Sequence, residues 1–203
     1  MRISPLGIFG AGNPAAAADW ARADSSLTHP HQVCQDSCAV FVAAIATAIA
    51  TGCSAQDCYR AALDEARRSS ASKPVVDALR EAAERPPDDY QTQQGWVLIA
   101  LQNAFYQLLH APSLEDGVVQ TVMAGGDTDI NAAIAGALLG AVHGRDAIPP
   151  QWLSSILSCR PLPKSGTSHP RPVEFWPVDA LRLAERLLVL GLQGHNAARE
   201  VAR

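Results

Sequence analysis

The chain has 203 residues, 48% of them hydrophobic and 18% charged, with a formal net charge of −4 at pH 7. That is enough apolar material for one sizeable core, and too little positive charge for a partner held mainly through phosphates, so no nucleic-acid partner is expected. The five cysteines, Cys34, Cys38, Cys53, Cys58 and Cys159, form an odd set without C-x-x-C spacing, which suits a reducing, cytoplasmic setting better than a disulfide framework.

The start MRISPLGIFGAG has one basic residue and no long apolar run before a small-residue cleavage site, so no signal peptide is expected. Helical spacing dominates, and no short segment alternates as a half-buried strand does, which predicts an all-α protein. An irregular start with Pro5, Gly7, Gly10, Gly12 and Pro14 leads into a short helix over 15–24. Residues 36–51 predict the central buried helix, apolar nearly all round, with Asp36 as N-cap and Gly52 just past its end. Within it AVFVAAIATAIA, 39–50, is the longest apolar run, too short and too alanine-rich for a bilayer span, so no membrane partner is expected.

SAQDCYRAALDEARRSS opens on Ser54 and Asp57 in capping-box-like spacing and closes on Arg67 and Arg68 near the negative end of the helix dipole. KPVVDALREAAER has Pro74 in its first turn, gathers Val75, Leu79, Ala82 and Ala83 on one face, and stops at Pro86-Pro87. Both predict amphipathic outer helices. The polar loop PPDDYQTQQ follows, its Asp88-Asp89 pair reading as a solvated turn. GWVLIALQNAFYQLLH then keeps helical spacing at Val97, Ala100, Leu101, Ala104, Phe105 and Leu108, a second buried helix. Ser113 and Asp116 predict the cap of a short helix through Met123, AGGDTD breaks the backbone, and helix resumes over 130–143 up to Gly144. IPPQWLSSILS gives one more short helix. Residues 159–177 carry five prolines and predict a surface loop strapped down by Phe175 and Trp176, before a final helix VDALRLAERLLVLGLQ. The expected organisation is one helical domain over 1–203, with 159–177 as its proline-rich loop.

The stretch AGGDTDINAAIAGALLGA, 124–141, carries the most specific chemistry. Gly125 and Gly126 permit a backbone path that a side chain would forbid, so Asp127 and Asp129 can be aimed separately at one spot. Hard oxygen ligands gathered in this way suit magnesium, calcium or manganese rather than zinc. Ala133, Gly136, Ala137 and Gly140 form a small-residue stripe that lets another helix come close. The same spacing equally suits a plain helix cap behind a two-glycine turn.

This stretch resembles the metal motif of the ADP-ribosylglycohydrolase family. MRISPLGIF, LTHPHQVC and GWVLIALQNAFYQLLHAPSLEDGVVQTVMAGGDTD agree with the family in order and approximate spacing, so the resemblance covers roughly residues 1–155 and the C-terminal two thirds of the family pattern. It implies an all-helical bundle with two magnesium (Mg2+) ions at its centre and ADP-ribose in the cleft above them. By that resemblance Asp127 and Asp129 are metal ligands and catalytic residues, the second bridging both ions. His29 matches a histidine lining the ADP-ribose site, and Gly95, Trp96 and Val97 match a loop packing on the adenosine end. Read as residues alone, His29 also suits a turn before Pro30, and Trp96 a core aromatic. The implied reaction is hydrolysis of the bond between the ribose C1″ and its attached group, with ADP-ribose or an ADP-ribosylated protein as partner.

Two departures from the family pattern bear on function. The family chain normally begins well before the counterpart of Met1, with acidic and glycine-rich motifs that supply the other metal ligands and hold the phosphates, so the bundle is expected to be N-terminally truncated. Ile130 replaces a threonine whose hydroxyl completes the coordination, which predicts a weak or incomplete magnesium site. An apolar face bared in this way invites self-association or a partner chain. Three readings follow: an ADP-ribosylglycohydrolase, a catalytically inactive ADP-ribose-binding protein, or an interaction module.

Overall fold

The computed structural model describes residues 1–163 and 166–201 as ten α-helices with short 3-10 turns, and no strand occurs among the described residues. The helices are α1 (Ser4–Phe9), α2 (Pro14–Ser26), α3 (Gln32–Thr51), α4 (Ala55–Arg68), α5 (Lys73–Ala82), α6 (Val97–His110), α7 (Leu114–Met123), α8 (Thr128–His143), α9 (Pro150–Leu157) and α10 (Ala180–Val201). The all-α expectation holds. Locally encoded boundaries hold as well: Ser54 Oγ accepts from the Asp57 N–H at 3.2 Å, Ser113 Oγ from the Asp116 N–H at 3.0 Å, and Gly52 closes α3 in the left-handed conformation.

α3 is the axis of the molecule. It packs against α1, α2, α4, α5, α6 and α8, and its residues from Ala39 to Ala46 are all buried. By length and composition it could cross a membrane, longer than its alanine-rich run suggested, yet 67% of its most apolar window is buried inside the protein, as a core helix requires. α6 and α8 lie side by side beyond it, and α7 covers α8, with Gly117 of α7 seated against Leu139. The small-residue stripe of α8 serves that contact in part: Gly136 and Gly140 face Val118 and Leu114 of α7, whereas Ala133 is exposed.

Three details differ from expectation. The start of the chain is not irregular: residues 4–9 form α1, where Gly7 lies so close to Ile45 of α3 that a Cβ would overlap its side chain. α3 begins at Gln32 rather than at Asp36; His31 is its N-cap, Nδ1 accepting from the Val33 N–H at 3.2 Å. Asp36 instead sits 1% exposed within the helix, paired with Arg22 of α2, accepting from Gln32 Nε2 at 2.9 Å and from the Ser72 N–H at 2.8 Å. In the proline-rich segment, Trp176 Nε1 donates to the Arg171 carbonyl at 2.8 Å and its ring lies beneath the Arg160 guanidinium, contacts that fold the segment on itself rather than strap it to the body. Phe175 is no strap either; it is 73% exposed.

Candidate functional site

The aspartate loop between α7 and α8 is shaped by its glycines. Gly125 and Gly126 have φ of 84° and 70°, and a Cβ on Gly126 would overlap the Tyr90 carbonyl oxygen while one on Gly125 would meet the Gln91 amide. Segment 90–91 therefore lies directly on the loop. It is held there by buried polar groups: Tyr90 Oη donates to Asn103 Oδ1 at 2.8 Å, Asn103 Nδ2 to Thr121 Oγ1 at 3.0 Å, and Thr121 Oγ1 to the Gly117 carbonyl at 2.8 Å. This relay ties the loop before α6, α6 itself and α7 into one unit, and burial pushes the Tyr90 phenol up to about 12. Just before it, Asp89 accepts from the Gln91 and Thr92 N–H groups at 2.7 and 3.1 Å, and Asp88 pairs with Arg85. The acidic pair is a turn, as its sequence suggested.

Asp127 is the N-cap residue of α8, yet its side chain makes no capping bond, so the plain-cap reading fails for it. Its carboxyl is raised above the usual carboxylate range, first by partial burial and then by the hydrogen bond and charge of Asp129 beside it. Asp129 is exposed, and its Oδ1 accepts from the Ile130 N–H at 2.9 Å. Two acids thus stand together at the foot of α8, one turned to a cavity and one to solvent.

The cavity measures about 440 Å³, within the range of small-ligand sites. Asp127, Ile130 and Asn131 of α8 form one wall, and Gly95, Trp96 and Val97 at the start of α6 another. Arg2, Asp24 and His29 close it from the side of α1 and α2. Arg2 is fixed by Asp24, donating through Nε to Oδ2 at 3.1 Å and through Nη2 to the carbonyl at 3.0 Å. His29 is exposed at the edge, its Nδ1 2.9 Å from Thr28 Oγ1. Trp96 is half-buried and meets the His31 ring edge-on at 6.0 Å, so it is neither a core aromatic nor free. A smaller annex of about 50 Å³ shares this wall at Cys38, Val97 and Ile134 and reaches the buried Ser37, whose Oγ has no partner among the described residues.

Five of the six expected site residues, His29, Gly95, Trp96, Val97 and Asp127, therefore line one cavity, and Asp129 stands beside it. Arg2, Cys34, Cys38 and Asn131 share the lining without having been expected there. Only Asn131 carried a signal in the sequence, its place four residues after Asp127 on one helix. For a divalent cation the donor set is short. Among the described residues no three His, Cys, Asp or Glu side chains gather at one point, and Ile130 offers no oxygen. Asp127 and Asp129 do not by themselves fit a closed magnesium cage.

The sequence model of the family described as ADP-ribosylglycohydrolase matches residues 1–192, beyond the span of the motifs quoted above. The chain is 28% identical over 157 residues to an ADP-ribosyl-[dinitrogen reductase] glycohydrolase of Rhodospirillum rubrum, covering 77% of this chain and 49% of the relative. It is 24% identical over 156 residues to the ADP-ribosylarginine hydrolase Tri1 of Pseudomonas putida (strain GB-1), covering 77% and 40%. The chain spans half or less of the length of these curated relatives.

Proposed function

The chain belongs to the ADP-ribosylglycohydrolase family, and from that premise we propose that its cavity binds ADP-ribose and that the protein hydrolyses the bond between the ribose C1″ and the group attached to it. The observation that carries this reading is convergence: residues as far apart in sequence as His29, Trp96 and Asp127 meet around one cavity of ligand size. The names of the two relatives, an ADP-ribosyl-[dinitrogen reductase] glycohydrolase and an ADP-ribosylarginine hydrolase, support an ADP-ribosylated protein as the substrate class.

Hydrolysis places a water oxygen on C1″ as the bond to the leaving group breaks, through a positively charged, oxocarbenium-like transition state. In this proposal the Asp127–Asp129 pair is the acid–base element. Its negative charge lies where positive charge develops; the ionised carboxylate of the pair takes the proton of the attacking water, and the protonated one gives its proton to the leaving atom as the C1″ bond breaks. Trp96 offers a flat apolar face to base or ribose, and His29 borders the entrance. Magnesium belongs to the reading through the family resemblance, but the described donors do not fit a closed cage, and no step above passes through a metal.

Free thiols at all five cysteines support a cytoplasmic location, and one core cluster spanning α2 to α8 supports treating 1–203 as one domain. Self-association remains part of the proposal: Val119, Val122 and Met123 are exposed together on α7, Met123 at 80%. Sedimentation that stays monomeric at all concentrations would remove it.

The test is calorimetric titration with ADP-ribose, with magnesium and with chelator, repeated on Asp127→Ala/Asp129→Ala, together with release of ADP-ribose from an ADP-ribosylated arginine substrate. Binding and release that both vanish in the double variant are expected. Ile130 and the two-carboxylate donor set favour a second reading, a catalytically inactive ADP-ribose-binding protein, which binding without release would select. No binding under either condition would overturn both and leave an interaction module.

A further inference from the structure

Trp96 and the aspartate pair leave one part of ADP-ribose unanswered, its diphosphate. Phosphate oxygens give up hydration on entering a cavity, and charge-assisted hydrogen bonds are what repay that loss best. Among the described residues that line the cavity, Arg2 is the only arginine or lysine. It borders the cavity with Asp24 and His29 from the side of α1 and α2, whereas Asp127 borders it from α8.

The Arg2 side chain is 54% exposed, yet its guanidinium is held. Nε donates to Asp24 Oδ2 at 3.1 Å and Nη2 to the Asp24 carbonyl at 3.0 Å, two bonds to one residue along one edge of the fork. Neither bond uses Nη1. A fork fixed along one edge presents its remaining N–H groups in a set plane, which suits the oxygens of a phosphate and spares the ligand the cost of ordering a long side chain. Phosphate seated at the foot of α8 would instead meet the negative charge of the Asp127–Asp129 pair. We propose that Arg2 is the diphosphate contact of this cavity: Asp24 holds one edge of the guanidinium and Nη1 donates to phosphate oxygens. The ligand then lies with its diphosphate on the side of α1 and α2 and its C1″ bond toward Asp127. This rests on the reading of the cavity as an ADP-ribose site and adds to it a residue that recognises nucleoside diphosphates.

The experiment titrates wild type, Arg2→Gln and Asp24→Asn with ADP-ribose, ADP and adenosine by calorimetry, and records the Tm of each ligand-free protein. Arg2→Gln loses about tenfold in affinity for ADP-ribose and ADP and keeps its affinity for adenosine, which has no phosphate. Added salt weakens ADP binding more in wild type than in Arg2→Gln. Asp24→Asn separates recognition from fastening: both substitutions disturb the Arg2–Asp24 link, but this one removes the carboxylate and leaves the cation, so affinity for ADP stays level or rises. Arg2→Gln binding ADP as wild type does overturns the proposal. So does a loss of ADP and adenosine binding and of Tm shared by both variants, which would make the pair a structural fastening. Wild type binding ADP no more tightly than adenosine overturns the diphosphate contact and leaves the nucleoside site standing; wild type binding none of the three overturns both readings.

Discussion

The carbonyl oxygen of Tyr90 occupies the space that a β-carbon on Gly126 would need. The aspartate loop and the segment ahead of α6 are in backbone contact there, so the wall bearing Trp96 and the wall bearing Asp127 are fixed relative to each other.

Gly126→Ala forces these backbones apart and strains a residue with φ of 70°. A stability loss of about 1–3 kcal/mol is expected from the conformation alone, with more from the overlap. Urea denaturation reads the loss, and ADP-ribose affinity falls with it. Unchanged stability and affinity would show that the two segments separate freely.

Tyr90→Phe removes the hydroxyl that donates to Asn103 and leaves a buried amide oxygen unanswered. The expected loss is about 1–3 kcal/mol, read in the same denaturation experiment. Thr121→Val, which cuts the relay at its other end, loses a similar amount. Combining the two should cost less than the sum of the single changes, because they share Asn103 as partner.

Asp127 is raised by partial burial first and then by Asp129. Asp129→Asn takes away the neighbouring negative charge, so the Asp127 carboxyl should titrate at lower pH, followed by carboxyl carbon NMR. A carboxyl raised in the folded state contributes stability at pH below its unfolded value and loses it as pH rises through the folded value. The variant should therefore narrow that window. An unshifted Asp127 would separate the two acids.

Asp36 has the opposite sign. Burial would raise it, but hydrogen bonds from the Ser72 backbone, Arg22 and Gln32 outweigh burial and hold it below the usual carboxylate value of 3.8. Its contribution is present above that pH and is lost as pH falls through the depressed folded value. Acid unfolding of wild type should accordingly show a component below pH 3.8 that Asp36→Ala lacks. The variant should also lose about 1–3 kcal/mol at neutral pH, since the Ser72 N–H loses its acceptor and Arg22 keeps only Glu65, at 3.8 Å, among the described residues.

What could be read from the chain depended on distance along it. The caps at Ser54 and Ser113 are bonds to backbone three residues on, and they were legible. Asp36 is also a capping residue type, but it sits inside α3, because the partners that hold it, Arg22 of α2 and the Ser72 N–H just before α5, lie far from it in sequence. α1 was hidden for a similar reason: Gly7 marks a close crossing with Ile45 rather than a break. At the site, the Gly-Asp stretch and the Trp96 loop were visible as motifs. That they share a cavity with Arg2, and that Asn131 stands in it unpartnered, depends on tertiary placement.

α3 carries a last consequence, one of timing. On the ribosome it is made after α1 and α2, which cover one side of it, and before α4, α6 and α8, which cover the rest. At synthesis rates of about 5–20 residues per second, the far side of a helix apolar enough for a bilayer stays bare for roughly 5–20 seconds, until residue 143 has been made. Over that interval the nascent chain displays what membrane-targeting and chaperone machinery both recognise, and early docking by α1 and α2 limits how much of it is on show.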